Sequence, residues 1–265
     1  MPKIKFSLLS IIGGLTLLSS SAYAGVDAEV SYILNTLLFL IGGFLVMWMA
    51  AGFAMLESGL VTSKSVATIA AKNIGLYSIA GLMFWLVGYN LAYGIPEGGF
   101  IGSFLPWSDA SAVDTGYSDG SDWFFQMVFC ATTCSIVSGT LAERIKIWPF
   151  FLFCAILAGI IYPIEMGWQW GGGHLAAAGF SDFAGSTLVH SAGAAAALAG
   201  AILLGPRLGR FTDSGEAAPM APFASSSIPL ATLGVFILWM GWFGFNGGSQ
   251  LAMGSFDDST AVATI

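Results

Sequence analysis

The feature that most constrains this chain is a series of six long apolar segments. Each is close to or above the ~20 residues that a helix needs to cross the hydrocarbon core of a bilayer. They lie at about 32–57, 73–94, 123–142, 147–168, 185–205 and 228–251. Only helices and closed barrels satisfy their backbone groups in lipid, and these segments are continuously apolar rather than alternating. The sequence therefore predicts an all-α polytopic membrane protein.

The composition supports a membrane protein and excludes several other classes. Of the 265 residues, 56% are hydrophobic and 9% are charged, whereas a soluble domain is nearer a quarter charged. The net charge of -7 and the absence of a basic stripe argue against nucleic-acid binding. No nucleophile or phosphate-loop motif is found. With two histidines, and three cysteines that are interpreted as packing residues, we expect no enzyme activity, metal or cofactor.

The first 24 residues resemble a signal peptide. Lys3 and Lys5 form a positive start, a short apolar run follows, and Ala22-Tyr23-Ala24 fits the small-residue cleavage pattern. An uncleaved first helix is the weaker alternative because the apolar run is short. We therefore expect one membrane domain over 25–265.

The charges predict the topology. After the signal peptide, every Lys and Arg falls in or beside the first, third and fifth connections: Lys64, Lys72, Arg144, Lys146, Arg207 and Arg210. The second connection, 95–122, and the fourth, 169–184, carry acidic residues and no basic ones. Basic loops stay on the cytoplasmic side. The sequence thus predicts a multi-pass protein of the cell membrane with its mature N-terminus outside.

His190 is the first candidate functional residue. It lies in the fifth apolar segment among Ala and Gly residues, and an ionisable side chain inside a membrane is by default a functional hypothesis. A neutral imidazole there could accept or pass a proton. The alternative is a core histidine that is hydrogen-bonded between helices.

Asp182 precedes the same segment. We interpret it chiefly as a helix cap that accepts hydrogen bonds from free backbone N–H groups. Direct ligand binding is the alternative, and a capping carboxylate would still lend negative potential to the space above it.

Aromatic residues cluster at the predicted outer helix ends. Phe125 and Phe129 lie four residues apart on one helix face, a spacing that core packing alone would explain. Trp242 is typical of a boundary anchor. Phe245 is flanked by glycines, with the hydroxyl of Ser249 nearby. Together with Trp170, these residues indicate a vestibule above a buried histidine.

The remaining polar candidates are interpreted as structural. Glu57, Glu143 and Arg144 lie at the inner ends of helices, where they would cap a helix or pair across a turn. His174, in a Gly-Gly-Gly-His turn, is expected to be a solvated loop residue.

Several of these stretches, in this order, resemble the ammonium transporter (Amt/Mep/Rh) family, and in particular its Amt-like members. The similarity covers most of the mature chain. The motifs are Phe53-Ala-Met-Leu-Glu-Ser-Gly-Leu, Asp122-Trp-Phe-Phe-Gln-Met-Val-Phe, Gly139-Thr-Leu-Ala-Glu-Arg, Trp170-Gly-Gly-Gly, Asp182-Phe-Ala-Gly-Ser-Thr-Leu-Val-His and Trp242-Phe-Gly-Phe-Asn-Gly-Gly-Ser.

The resemblance implies roles for individual residues. Trp170, Phe129 and Ser249 would recruit the ammonium cation at the outer face. Phe129 and Phe245 would form a gate where the cation loses its proton, and ammonia would then pass along an apolar pore lined by His190. Asp182 and Phe125 would organise the vestibule. Family members are homotrimers, and a cytoplasmic regulatory protein is a further expected partner.

The chain departs from the family pattern in length. The family has about eleven helices in two inverted halves, whereas six follow the signal peptide here. We therefore expect the C-terminal half, with the second pore histidine, to be missing from this sequence, and we expect the site to depend on both halves.

Two other functions remain open. An ammonium sensor would use the same pore module to drive an attached signalling domain. An Rh-type gas channel is disfavoured by Trp170, a cation-recruiting aromatic expected of Amt-like members.

Overall fold

The computed structural model describes residues 26–212, 214–219 and 223–265. The predicted signal peptide, 1–24, lies outside the described residues. Six helices of the described part are long and apolar enough to cross a membrane, as the sequence predicted. They are α1 (Ala28–Leu60), α2 (Ser63–Tyr93), α3 (Asp119–Leu141), α4 (Ile147–Gly167), α6 (Ser186–Leu204) and α7 (Ile228–Gly248). Two short helices are α5 (His174–Ala177) and α8 (Phe256–Thr264).

The connections gather at two ends of the bundle. At one end, which we name the acidic end, the connections 94–118 and 168–185 meet, and the amide N–H of Gly98 donates to the carbonyl of Gly172 at 3.0 Å. At the other, the basic end, the connections 61–62, 142–146 and 205–227 meet. There Arg144 donates to the carbonyl of Gly205 at 3.0 Å. The charge asymmetry of the sequence is therefore also a spatial one.

Helix α3 forms the centre of the bundle. In α3, 78% of the most apolar stretch is buried, against 22% to 39% in the other five long helices. It packs against α1, α2 and α6. The three cysteines, Cys130, Cys134 and Cys154, are fully buried in this core. Because α3 carries Phe125 and Phe129, these two rings lie deep in the protein rather than at its surface.

Small residues let α1 and α7 pack closely. A Cβ atom on Gly234 of α7 would lie 2.5 Å from the backbone N of Leu56 and 2.6 Å from the carbonyl O of Gly52. Close backbone approach of this kind is a common way to join helices in membranes, where burial of apolar surface gives no driving force. The two helices are thus held together by close van der Waals packing of their backbones.

Helix α2 begins earlier than the hydropathy pattern indicates. It starts at Ser63, whereas the apolar segment was placed from residue 73. Lys72 is buried within it, where its Nζ lies 3.0 Å from Glu57 Oε2 and donates to the carbonyl of Ser138 at 2.7 Å. This pair makes burial of the charge tolerable.

Glu143 and Arg144, which the sequence analysis interpreted as structural together with Glu57, also make structural contacts. Glu143 accepts from the backbone N–H of Thr62 at 3.0 Å and pairs with Arg207 at 2.6 Å. Arg144 makes the bond to Gly205 described above. These interactions fasten three connections of the basic end to one another.

Candidate functional site

Asp182 fixes the start of α6. Its carboxylate accepts four backbone N–H groups at 2.8–3.1 Å, from Gly185, Ser186, Thr187 and Leu188. Burial raises the pKa of this carboxyl, but the four donors together outweigh burial and hold the pKa below its usual value. Gly185 has a φ of 97°, a left-handed conformation that suits glycine. Asp182 is therefore a helix cap whose oxygens are fully used.

Trp170 is positioned by the same connection. Its indole N–H donates to the backbone carbonyl of Asp182 at 2.7 Å. Its ring lies edge-on to Phe129, with 5.9 Å between the ring centroids. The capped segment thus holds Trp170 against the central helix α3.

A cavity of about 340 Å³ opens at the acidic end beside these residues. It brings together four residues that the sequence analysis named: Trp170, Phe129, Phe125 and Ser249. The rest of its lining consists of Phe39, Tyr89, Tyr93, Tyr117, Asp122, Gln126, Phe183 and Leu251. The structure therefore assembles the three residues expected to recruit a cation around one space, while Asp182, Phe245 and His190 lie outside its lining.

Phe129, which lines this cavity, stacks on Phe245, which does not. The rings of Phe129 and Phe245 lie 4.1 Å apart between centroids, tilted by 31°, and each side chain is 1% exposed. The hydroxyl of Ser249 donates to the carbonyl of Phe245 at 2.7 Å. A Cβ atom on Gly248 would lie 2.6 Å from the Phe125 ring, so glycine is required there for Phe125 to reach its position.

His190 lies beyond the stacked pair. Its ring is 5.5 Å from Phe245 and 4.8 Å from Trp242 between centroids. Its Nδ1 lies 3.2 Å from the carbonyl of Gly185. Because a carbonyl can only accept, Nδ1 carries the proton of this bond, and Nε2 of the neutral ring is left as an acceptor. A chain of successive contacts therefore leads from the cavity through Phe129 and Phe245 to His190.

One sequence interpretation needs correction, and another stays a prediction. Trp242, interpreted as a boundary anchor, is 41% exposed, and it also contacts His190 and stacks on Phe245 at 5.5 Å. His174, interpreted as a solvated loop residue, is half-buried: its ring stacks 4.2 Å from Phe100 and lies 4.9 Å from Trp168. Phe100 is distant from His174 in sequence, so the local pattern gave no sign of this contact.

The sequence analysis missed the polar part of the cavity. Asp122 was counted among the charges of a connection and quoted at the start of a motif, but it was given no role; it is 6% exposed and lines the cavity. Tyr89 donates to Asp122 Oδ2 at 2.6 Å, and Gln126 Nε2 donates to Oδ1 at 3.2 Å. The spacing of Asp122 and Gln126, four residues apart on the helix that carries Phe125 and Phe129, was the available signal.

The chemistry of the cavity suits a small cation. The lining combines aromatic faces with one carboxylate, and it contains no Lys, Arg or His. Within the described residues, no group of three or more His, Cys, Asp or Glu side chains could hold a metal ion.

Comparison with known proteins places the chain in a family. The Ammonium Transporter Family profile matches residues 37–265. Amt2 of Archaeoglobus fulgidus is 42% identical over 228 residues, which are 80% of this chain and 47% of that protein. A structure titled Sensor Amt Protein superposes with a TM-score of 0.80 at 35% identity, covering 89% of this chain and 59% of its own.

A second solved structure agrees. The crystal structure of Candida albicans Mep2 superposes with a TM-score of 0.72 at 26% identity, covering 86% of this chain and 51% of its own. The chain spans about half the length of the curated relatives it matches. From the extent of these matches, the chain belongs to the ammonium transporter family.

Proposed function

We propose that the protein transports ammonium across a membrane. The cation is recruited in the cavity at the acidic end, gives up its proton at the stacked phenylalanines to Nε2 of His190, which relays it onward, and continues as ammonia past this ring. The observation that carries this proposal is the position of the Phe129–Phe245 pair. It lies between a cavity suited to a cation and a half-buried histidine with a free acceptor nitrogen.

Recruitment is supported by what the cavity offers to ammonium. The ion is a donor of N–H groups and has no acceptor. Trp170 and Phe129 offer ring faces that attract a cation. Ser249 donates its own hydrogen to Phe245, so the lone pairs of its hydroxyl oxygen remain able to accept from the ion.

Deprotonation is supported by the closed gate. Phe129 and Phe245 are packed too closely to solvate a charge, so the ion is disfavoured there relative to neutral ammonia. Beyond them, Nε2 of His190 accepts a hydrogen bond from ammonia, and the Ala and Gly residues that follow in α6 offer no charge. Asp182 and Phe125 hold this arrangement together.

The rest of the proposal concerns the whole protein. We place the acidic end outside and the basic end in the cytoplasm, with the mature N-terminus outside and the protein in the cell membrane. The sorting of basic residues to one end supports this orientation. A homotrimer with one pore in each subunit, and a cytoplasmic regulatory partner, follow from the family resemblance.

An ammonium sensor is the second candidate. The observation that favours it is the superposition on the structure titled Sensor Amt Protein. A sensor would use the same cavity and gate and would pass the occupancy of the pore to a signalling domain.

Growth on limiting ammonium tests the proposal. The complete open reading frame that encodes this chain is expressed in cells lacking their own ammonium uptake. Rescue of growth is the expected result. A protein that reaches the membrane and leaves growth unrescued contradicts transport and favours the sensor.

A further inference from the structure

Asp122 gives the cavity its charge. It lies in the first turn of α3, where the free N–H groups of a helix start favour a negative side chain. It is 6% exposed, and it is the one carboxylate among the lining residues. A carboxylate removed from water in this way requires compensation by hydrogen bonds or by a cation.

The protein supplies only part of that compensation. Tyr89 and Gln126 donate one hydrogen bond to each carboxylate oxygen, at 2.6 Å and 3.2 Å. A carboxylate has about four acceptor positions, so half remain available. The ion pairs found among the described residues, Lys72–Glu57 and Arg207–Glu143, both lie away from the cavity. No basic side chain lines it.

The other acidic residue of the site differs in this respect. Asp182 receives four backbone N–H groups, which fill its acceptor positions, and it does not line the cavity. Asp122 has unfilled positions and does line it. Of the two carboxylates, Asp122 is therefore the one with capacity for an N–H donor from outside the protein.

We propose that Asp122 is the residue that sets the affinity of the cavity for ammonium, by placing a partly compensated negative charge in the cavity that Trp170 and Ser249 also line. This inference rests on the proposed function. The aromatic faces orient the cation, and the carboxylate attracts it over a longer distance. Because the attraction is electrostatic and starts at an open cavity, it weakens as ionic strength rises.

The test compares ammonium uptake by the wild-type complete protein with that of Asp122→Asn. Asparagine has nearly the same shape and still accepts from Tyr89, so the variant removes charge with little change in packing. We expect the apparent KM for ammonium to rise about tenfold, with the maximal rate unchanged and with a flatter dependence of KM on ionic strength. An unchanged KM and an unchanged salt dependence would overturn the proposal.

Two further variants separate charge from structure. Asp119→Asn removes a carboxylate of the same helix that bonds to the backbone N–H of Ala110 and does not line the cavity; its KM should match that of the wild type. Asp122→Glu keeps the charge and should retain the salt dependence of KM. If Asp122→Asn does not fold, loss of that salt dependence in Asp122→Glu overturns the proposal, and its retention supports it.

A binding measurement separates this inference from the proposed function. Calorimetric titration of the purified protein with ammonium chloride does not require transport. Binding that is weakened in Asp122→Asn and kept in Asp119→Asn supports the role of Asp122, even if the wild type moves no ammonium. Equal binding by both variants, or no binding by the wild type, overturns it.

Discussion

At the scale of single residues, Trp170 joins the capped connection to the cavity. Its N–H donates to the carbonyl of Asp182, while its side chain lines the cavity and its ring lies edge-on to Phe129. The hydrogen bond holds the ring in one orientation, so little entropy is lost when a cation binds to its face. The recruitment that we propose and the local fold therefore depend on the same side chain.

Replacing Trp170 with Leu should weaken uptake at low ammonium. Loss of one cation–π face removes about 1–2 kcal/mol of binding, which corresponds to a rise in KM of about 5- to 30-fold. The maximal rate should stay near that of the wild type, because the gate is unchanged. Uptake rates over a series of ammonium concentrations measure both.

Trp168→Leu is the matched control. Trp168 lies two residues away, donates to the carbonyl of Phe100 and does not line the cavity. Its variant should keep the wild-type KM. Normal uptake by Trp170→Leu at every concentration would show that the ring takes no part in recruitment.

Asp182→Asn should destabilise the protein in a pH-dependent way. An amide cannot accept from all four N–H groups, so the expected loss is about 1–3 kcal/mol near pH 7. The folded pKa of Asp182 is depressed, so its contribution is present above the unfolded value of about 3.9 and is lost as pH falls through the lower folded value. The gap in thermal midpoint between wild type and variant should therefore narrow from pH 7 to pH 3.

The exposed Asp114 provides the comparison for this experiment. Asp114→Asn, in another connection of the acidic end, should leave the midpoint unchanged at both pH values. A gap between Asp182→Asn and the wild type that is equally wide at pH 7 and pH 3 would show that the cap does not depend on the carboxylate charge.

At the scale of elements, α6 and α7 present His190 and Phe245 to each other. Helix α6 begins with a π-helical turn, Ser186–Ser191, which includes His190. A π turn adds one residue to a helical turn and redirects the side chains in it, and such turns are frequent at functional sites. Helix α7 is held in place by its close packing on α1.

Two glycines of α7 form a matched test of that packing. Gly234→Ala would place a Cβ atom against backbone atoms of Leu56 and Gly52, which cannot move aside, whereas Gly247→Ala would meet nothing within 4 Å. Both variants gain about the same helix propensity. Overpacking of about 1–3 kcal/mol should therefore lower the unfolding midpoint of Gly234→Ala relative to Gly247→Ala. Equal midpoints would show that α1 and α7 are not held by close contact.

The six long helices were predictable because each is continuously apolar over a membrane thickness. The start of α2 was not predictable, because Lys64 and Lys72 lower the hydropathy of its first turns. The partner that allows Lys72 to be buried, Glu57, lies in another helix. The π turn at Ser186–Ser191 was also missed. The residues around His190 are almost all apolar or small, so they show no hydrophobic periodicity that would distinguish a π turn from an α-helix. Hydropathy predicts which segments are buried in lipid but not how polar residues pair inside them.

The site was predictable to the extent that its residues lie in sequence motifs shared with the family. Trp170, Phe129 and Ser249 were named from such motifs, and the structure shows that they line one cavity. Asp122 and Tyr89 were not identified, because their hydrogen bond joins α3 to α2 and has no sequence spacing to indicate it. Contacts between helices, rather than patterns within them, supply the polar half of the cavity.

At the scale of the whole molecule, the site forms one route that starts at the acidic end. The cavity, the stacked Phe129–Phe245 pair and His190 follow in order, and the connections of the basic end are fastened to one another at the opposite end. In the transport mechanism that we propose, the charged and the neutral form of the substrate separate at the phenylalanines.

The most direct test measures charge and ammonia together. The product of the complete open reading frame is reconstituted in proteoliposomes, an ammonium gradient is imposed, and current and internal pH are recorded at once. We predict that His190→Ala changes both the ratio of charge to ammonia moved and the pH dependence of that ratio, while Ser191→Ala, at the next position, changes neither. An unchanged ratio and an unchanged pH dependence in His190→Ala would contradict the account and leave His190 as a packing residue.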